Sequence, residues 1–306
     1  MPGPATIGPV NYATEYSRFL DQEYPYVLNF GALYATPNNA LFRWVDAKTI
    51  AISTITTTGR VNADRDTIAF ASRNYSNAWT NYELTNQRKW STLVHPKDID
   101  QSNMVNSIAN ITRVFNEFQK FPEMDSYLVS KVYKDYTAAG NTADTTVLTT
   151  ANILSVFDTF MANMDKKRVP KTGRILYLTP DVEVLLKNAA NVARYIDIKD
   201  ENAAVLNRMV ARLDQVEIVS VPDDLMMTLY DFTEGAVTDT ANDSEQINMF
   251  LIHPTAVMTP VSYNFVNLNA PSALSEGKYV YFEESFEDVF VLENKMAAIQ
   301  FNITPA

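Results

Sequence analysis

The chain contains no cysteine in 306 residues. Disulfides, thiolate nucleophiles and Cys-based zinc sites are thereby excluded, and the composition suits a reducing cytoplasm. Glycine is scarce, with 8 residues scattered from Gly3 to Gly277. They form no phosphate-cradling loop, no dinucleotide fingerprint and no glycine-flanked nucleophile serine. Histidine occurs twice, at His95 and His253, each followed by proline. A residue before proline is held in extended or turn backbone, so a helical His-X-X-X-His metal pair is impossible. Surface or interface histidines are the expectation. No apolar run approaches the ~18 residues of a membrane helix. The opening MPGPATIGPV has no basic segment followed by an apolar one, so it does not read as a signal peptide.

What is present is ordinary for a folded protein: 46% hydrophobic and 20% charged residues, in a length that suits one large or two modest domains. The 16 Tyr, 16 Phe and 3 Trp serve equally as core and as interface residues. The net charge of −11 is unevenly placed. Residues 1–195 hold 20 Lys+Arg against 18 Asp+Glu, while residues 196–306 hold 5 against 18. Such an acidic balance disfavours tight binding to DNA phosphates. Two faces with different neighbours, or one solvated acidic surface, would both produce it.

Residues 1–30 read as an arm, interrupted by Pro2, Pro4, Pro9 and Pro25. Only Tyr16 to Leu20 could be helical there, and so short a segment must lie on something else. Residues 46–92 are the clearest β region. Ile50, Ile52, Thr54 and Thr56 recur with the strand period, Thr58-Gly59-Arg60 supplies a turn, and Thr67, Ile68 and Phe70 open the return. The return continues through Trp79, Tyr82, Leu84 and Trp90. This long hairpin is poor in aliphatic residues, and an isolated hairpin is marginal in water. It needs a partner surface.

Helical spacing takes over at 98–121, where Met104, Ile108, Ile111, Phe115 and Phe118 form one apolar stripe. Lys120 and Pro122 predict its end, with a second helix from Pro122 to about Tyr136, stopped by Gly140. From 147 onward a helix (151–165), a strand (Arg174 to Leu178), a helix capped by Thr179 with Pro180 first, and strands at Val216 to Val221 and Ile247 to Ile252 predict an α/β unit. Residues 278–303 read as two strands around Glu293-Asn294-Lys295.

The acidic group Glu283, Glu284, Glu287 and Asp288 lies in this predicted strand, where neighbours alternate faces, so the four cannot converge on one metal ion. A solvated or intersubunit salt-bridge face is expected, as it is for Asp197, Asp200 and Glu201. Lys166, Lys167, Arg168 and Lys171 suit a helix C-terminus or an acidic neighbour better than nucleic acid. No catalytic, cofactor or metal site emerges.

Several stretches resemble tailed-bacteriophage major capsid proteins, the HK-ninety-seven-like family. Phe115-Asn116-Glu117-Phe118 leading into Phe121-Pro122-Glu123-Met124-Asp125-Ser126-Tyr127 and Ser130-Lys131 is similar to the segment that leads out of the family's spine helix. Asn152-Ile153-Leu154, Phe157-Asp158, Met161, Val169-Pro170, Gly173-Arg174 and Leu176 to Pro180 resemble the opening of its axial domain. Phe286 to Lys295 resembles its closing peripheral strands.

The resemblance implies an α+β fold with an N-terminal arm (1–30), a peripheral domain (31–145 and 266–306) and an α/β axial domain (146–265). The peripheral domain would carry the extended β-hairpin loop (46–92) and the long spine helix (98–121). It implies a shell protein and not an enzyme, needing no cofactor. Subunits would form hexamers and pentamers of an icosahedral shell around double-stranded DNA, contacted non-specifically, with no membrane partner. A portal protein is expected. The chain opens at Met1 without a charged helical leader, so a separate scaffolding protein is expected too. Assembly would occur in the host cytoplasm, and the product would be the virion capsid. The hairpin would contact a neighbouring subunit through Ile50, Ile52, Ile68, Phe70 and Trp79. Some relatives crosslink Lys to Asn, but no specific match here supports that. Two other readings remain open: an oligomeric α/β enzyme, or a different phage structural or binding module.

Overall fold

The computed structural model describes residues 27–62, 73–101, 107–189, 196–200, 203–206 and 212–304. In chain order come α1 (Gly31–Tyr34), β1 (Arg43–Trp44), β2 (Thr49–Thr57), β3 (Tyr75–Glu83) and β4 (Gln87–Val94). Helices α2 (Pro96–Gln101), α3 (Ile108–Phe115), α4 (Phe121–Ala138) and α5 (Ile153–Lys166) come next. Then come β5 (Ile175–Leu178), α6 (Pro180–Asn188), β6 (Ile196–Asp200), β7 (Ala203–Leu206), β8 (Arg212–Leu213) and β9 (Val216–Ser220). The last part holds β10 (Tyr230–Asp231), β11 (Val237–Thr238), β12 (Gln246–Ile252), β13 (Val257–Met258) and β14 (Val261–Asn269). It closes with β15 (Tyr279–Glu287), β16 (Phe290–Val291) and β17 (Ile299–Thr304).

The centre is a five-stranded sheet in the order β17-β12-β5-β9-β8, with β5 and β9 parallel. Strand β5 is apolar at all four positions because both of its faces are covered. Ile175 and Tyr177 join Phe250, Ile252, Phe301 and helix α4 on one face, while Leu176 and Leu178 join Met249, Leu251 and helices α5 and α6 on the other. Phe250 stacks on Phe301 with ring centres 4.6 Å apart and planes within 2°. Arg174, fully buried at the start of β5, bonds Asp165 at 2.7 Å and the carbonyls of Val169 and Pro170. Each polar end of its guanidinium therefore meets an acceptor, which a buried charge requires. Pro180 opens α6 as expected, although the Thr179 side chain makes no capping bond.

The long helix departs from expectation at both ends. Ser107 caps α3 by accepting from the Asn110 amide, α2 is a separate piece, and Met104 lies outside the described residues. The helix does not stop before Pro122. Asn116–Lys120 form a π turn in which the Phe121 amide reaches the Asn116 carbonyl, five residues back. Pro122 then occupies the first turn of α4, where a missing N–H costs little, so the widened turn re-registers the ladder and the proline is accommodated. The helical run from Ile108 to Ala138 spans roughly 46 Å at 1.5 Å per residue. It ends at Gly140, whose φ of +80° is a left-handed conformation costly for other residues.

The β region is also shared out differently. β2 and β3 pair without a slip from Thr49↔Glu83 to Thr57↔Tyr75. β4, however, leaves this hairpin and pairs with β15 in a second sheet, β14-β15-β4. The hairpin therefore covers 49–83, and its tip, with Ile68 and Phe70, falls outside the described residues. Residues 278–303 do hold two long strands, but β15 and β17 belong to different sheets, separated by β16 and a 3-10 turn over Glu293–Ala298. β17 pairs with β12, so the end of the chain joins the central sheet that the expected boundaries gave to residues 146–265 alone.

Candidate assembly surface

Alternation along β2 and β3 gives the hairpin two different faces. Ile50, Ile52, Thr54, Ser76, Ala78, Thr80 and Tyr82 share one, and Ser53, Ile55, Tyr75, Asn77 and Trp79 share the other. Ile50 sits at the root, fully buried with Leu84, Met258, Phe286 and Phe290 of its own chain, and Ile52 and Tyr82 pack partly against that cluster. Ile50 is therefore an intramolecular anchor with no surface left for a neighbour, which corrects its expected role as an intersubunit contact. The opposite face is open: Ile55 is 71% exposed, Tyr75 59% and Trp79 56%. Ile55 and Tyr75, which the β-branched periodicity passed over, extend the patch around Trp79.

A second anchor is polar. Asp288, buried after β15, accepts hydrogen bonds from the Thr85 amide (2.7 Å), the Thr85 hydroxyl (3.1 Å), the Tyr127 hydroxyl (2.7 Å) and the Val289 amide (2.8 Å). One carboxylate thus ties the hairpin's exit, helix α4 and the end of β15. Burial is the main reason the Tyr127 phenol is pushed up, and the Asp288 charge beside it adds to the rise.

These contacts correct the reading of the acidic group as a solvated or intersubunit face for two of its four members, Glu283 and Asp288, which are buried in their own subunit. Glu283 is buried and bonds Lys120 at 3.1 Å and the Tyr281 hydroxyl at 2.8 Å. Glu284 accepts from Gln87, and Glu287, half-buried, has its carboxyl pushed up chiefly by desolvation. Among the described residues no group of carboxylates or histidines is arranged to hold a metal ion. Asp197 and Asp200 lie on β6, and Glu201 falls outside the described residues. Lys171 meets Asp165 at 3.0 Å near the end of α5, an acidic contact of the expected kind.

His253 has the extended backbone expected before proline, yet it is buried, not superficial. Its Nε2 donates to the Thr172 carbonyl at 3.1 Å and its Nδ1 accepts from the Thr255 hydroxyl at 2.8 Å. Burial pushes its pKa below the ordinary value.

Strand β14 presents a further open surface, one that sequence periodicity does not reveal. It is an edge strand of nine residues, VSYNFVNLN, without charge or proline. Tyr263, Phe265, Val266 and Leu268 are exposed, and the first two rings stack 6.2 Å apart. A long, uncharged apolar edge invites pairing with another chain unless something covers it. Helix α3 is similar: its stripe of Ile108, Ile111 and Phe115 is only partly buried, with Phe115 stacked on Trp90 at 3.9 Å. Phe118, in the π turn, is partly buried as well.

No protein-family model and no curated protein sequence matches the chain. Solved structures do. One from Mycobacterium phage Che8 superposes with a TM-score of 0.61 at 14% identity, over 96% of this chain and 98% of that one. The acidic stable capsid structure of Helicobacter pylori bacteriophage KHP30 gives 0.61 at 11%, over 100% of both chains. The asymmetric unit of the bacteriophage PhiM1 mature capsid gives 0.60 at 13%, over 98% and 90%. A likeness that runs the full length of both chains, in an α+β arrangement with an outlying hairpin and a long helix, settles the architecture: the chain has the fold of a tailed-phage major capsid protein.

Proposed function

We propose that this chain is a major capsid protein whose copies assemble as hexamers and pentamers into an icosahedral shell around double-stranded DNA. The observation that carries the reading is the full-length likeness to phage capsid structures, together with a hairpin whose described residues Ile55, Tyr75 and Trp79 are exposed. In this reading 49–83 is the extended loop, the run from Ile108 to Ala138 is the spine helix, and the central sheet with α5 and α6 forms the axial domain. The hairpin reaches across a neighbour with Ile55, Tyr75 and Trp79, and the edge of β14 is covered in the lattice. Obligate interfaces of this kind bury about 2,000–5,000 Å². Symmetry multiplies contacts that are individually weak.

A separate scaffolding protein and a portal protein are the proposed partners, with assembly in the host cytoplasm and the virion capsid as destination. DNA would be enclosed with little direct affinity, as the net charge of −11 suggests. The role is structural, without catalysis. Negative-stain microscopy of the purified protein, with and without a candidate scaffolding protein, tests this. Closed shells or curved sheets are expected. A monodisperse monomer or small ring at high concentration would overturn it.

A further inference from the structure

Residues 246–275 hold no Asp, Glu, Lys or Arg, in a chain with 25 basic and 36 acidic residues. For β12 and β13 the core explains this, since both are largely buried. β14 has no such reason. It ends the sheet β14-β15-β4, and among the described residues no strand pairs with its outer side. The Ser262 hydroxyl tethers its near end to the Ala47 carbonyl at 2.6 Å, and every residue from Tyr263 to Asn269 is exposed. Tyr263, Phe265 and Phe282 of β15 form a row of rings on one face, with neighbouring centres 6.2 Å apart.

The missing charge discriminates between occupants of this edge. A strand that receives a different surface can carry charge, provided that the partner carries the opposite sign. β4, the other edge of the same sheet, does carry Arg88 and Lys89. A strand that meets its own copy about a two-fold axis cannot, because each charge near the axis would stand opposite its like. A neutral, proline-free edge fits the second case. In antiparallel register centred on Phe265, that residue faces itself, Asn264 faces Val266, and Tyr263 faces Asn267. The carboxylates of the next strand, Glu283 and Glu284, already meet Lys120 and Gln87. Pairing would set the two copies of β15 three strand spacings apart, about 14 Å. That exceeds the ~8 Å over which charges are felt at physiological salt.

We propose that β14 pairs antiparallel with β14 of a second copy about a two-fold axis at Phe265, joining two subunits through one six-stranded sheet. The proposal rests on the shell reading and names what covers the β14 edge in it. One strand pair is small beside a standard interface of about 1,600 Å², so the contact gains its strength from repetition in the shell.

A chain without cysteine allows single substitutions to report the register. Full-length Phe265→Cys is oxidised mildly, both as free subunit at high concentration and as sedimented assemblies, and the same samples are imaged by electron microscopy. Facing Cα atoms in an antiparallel ladder lie about 4.5–5.5 Å apart, within the reach of a disulfide. A linked dimer is expected, about tenfold above that from Val184→Cys, an exposed position on α6. Asn264→Cys and Val266→Cys chains, which keep the Phe265 ring, should link when mixed and far less when either is oxidised alone. A yield from Phe265→Cys no higher than from Val184→Cys would overturn the proposal. So would equal linking by the Asn264→Cys and Val266→Cys chains alone and mixed. A stronger link between Phe265→Cys and Trp79→Cys chains would assign the edge to a neighbour's hairpin and overturn it too. Shells that form without the Phe265 link would sink the pairing and spare the shell reading, whereas the link without shells would do the reverse.

Discussion

Strands β5 and β2 both carry the residues that favour a pleated strand, yet the two stand in opposite surroundings. All four side chains of β5 are buried, between α4 on one face and α5 with α6 on the other. β2 is buried only at Ile50 and Ala51, and every residue from Ile55 to Thr57 is exposed. The central sheet is complete within one molecule. Among the described residues, the hairpin is held at its root by Ile50, Leu84 and the Asp288 bonds, and from Ser53 to Thr57 and Tyr75 to Trp79 its two faces are largely exposed. The difference separates what folds the subunit from what is available to join subunits. The same chain provides a self-sufficient core and an extension that gains its burial elsewhere.

That contrast can be broken most severely at the core. Phe250→Ala removes a ring stacked between Phe301 and Tyr177 and should cost about 3–5 kcal/mol, read as a drop in the urea midpoint. A loss below about 1 kcal/mol would mean that the central sheet is not the stability core. At the root, Asp288→Ala leaves the Thr85 amide and Tyr127 hydroxyl without an acceptor, and about 3 kcal/mol is expected. Asp288→Asn, which keeps an oxygen acceptor, should lose less; equal losses would show that the hydrogen bonds are not what matters.

A milder effect is expected from pH. Because burial lowers the His253 pKa in the folded state, its contribution is intact above the ordinary value of 6.5 and is lost as pH falls through the folded value. Protonating Nδ1 would set a proton against the Thr255 hydroxyl that donates to it. The urea midpoint of His253→Gln should therefore fall less steeply than that of the native chain between about pH 7 and pH 5. Parallel curves would remove His253 from the account. The smallest effect on the isolated subunit belongs to Ile55→Thr and Trp79→Ser, each expected within about 0.5 kcal/mol of the parent. Their cost should appear only in particle yield.

The sequence made the central unit legible because burial on two faces leaves an unbroken apolar run, as in Ile175 to Leu178 and Met249 to Ile252. Regular spacing likewise revealed β2 and the helical stripe. Three features were hidden. Pro122 read as a terminator because the π turn that accommodates it has no composition of its own. β14 escaped because Ser262, Asn264, Asn267 and Asn269 interrupt its apolar residues and resemble loop chemistry. The division of β4 from β3, and of β17 from β15, depends on which distant strand each one meets, and local pattern carries no record of that. At the surface, the expected contact residues mixed an anchor, Ile50, with an open residue, Trp79, because alternation identifies a face but not what covers it.

The sharpest test replaces residues 53–79 with an Asn-Gly turn, keeping Ile50, Ile52, Thr80, Tyr82 and Leu84 at the root. Urea unfolding and electron microscopy are then run on the same preparation. The account predicts a midpoint close to that of the full-length chain and no closed particles. Normal shells from the shortened chain, or a subunit that fails to fold without its outer ribbon, would contradict it.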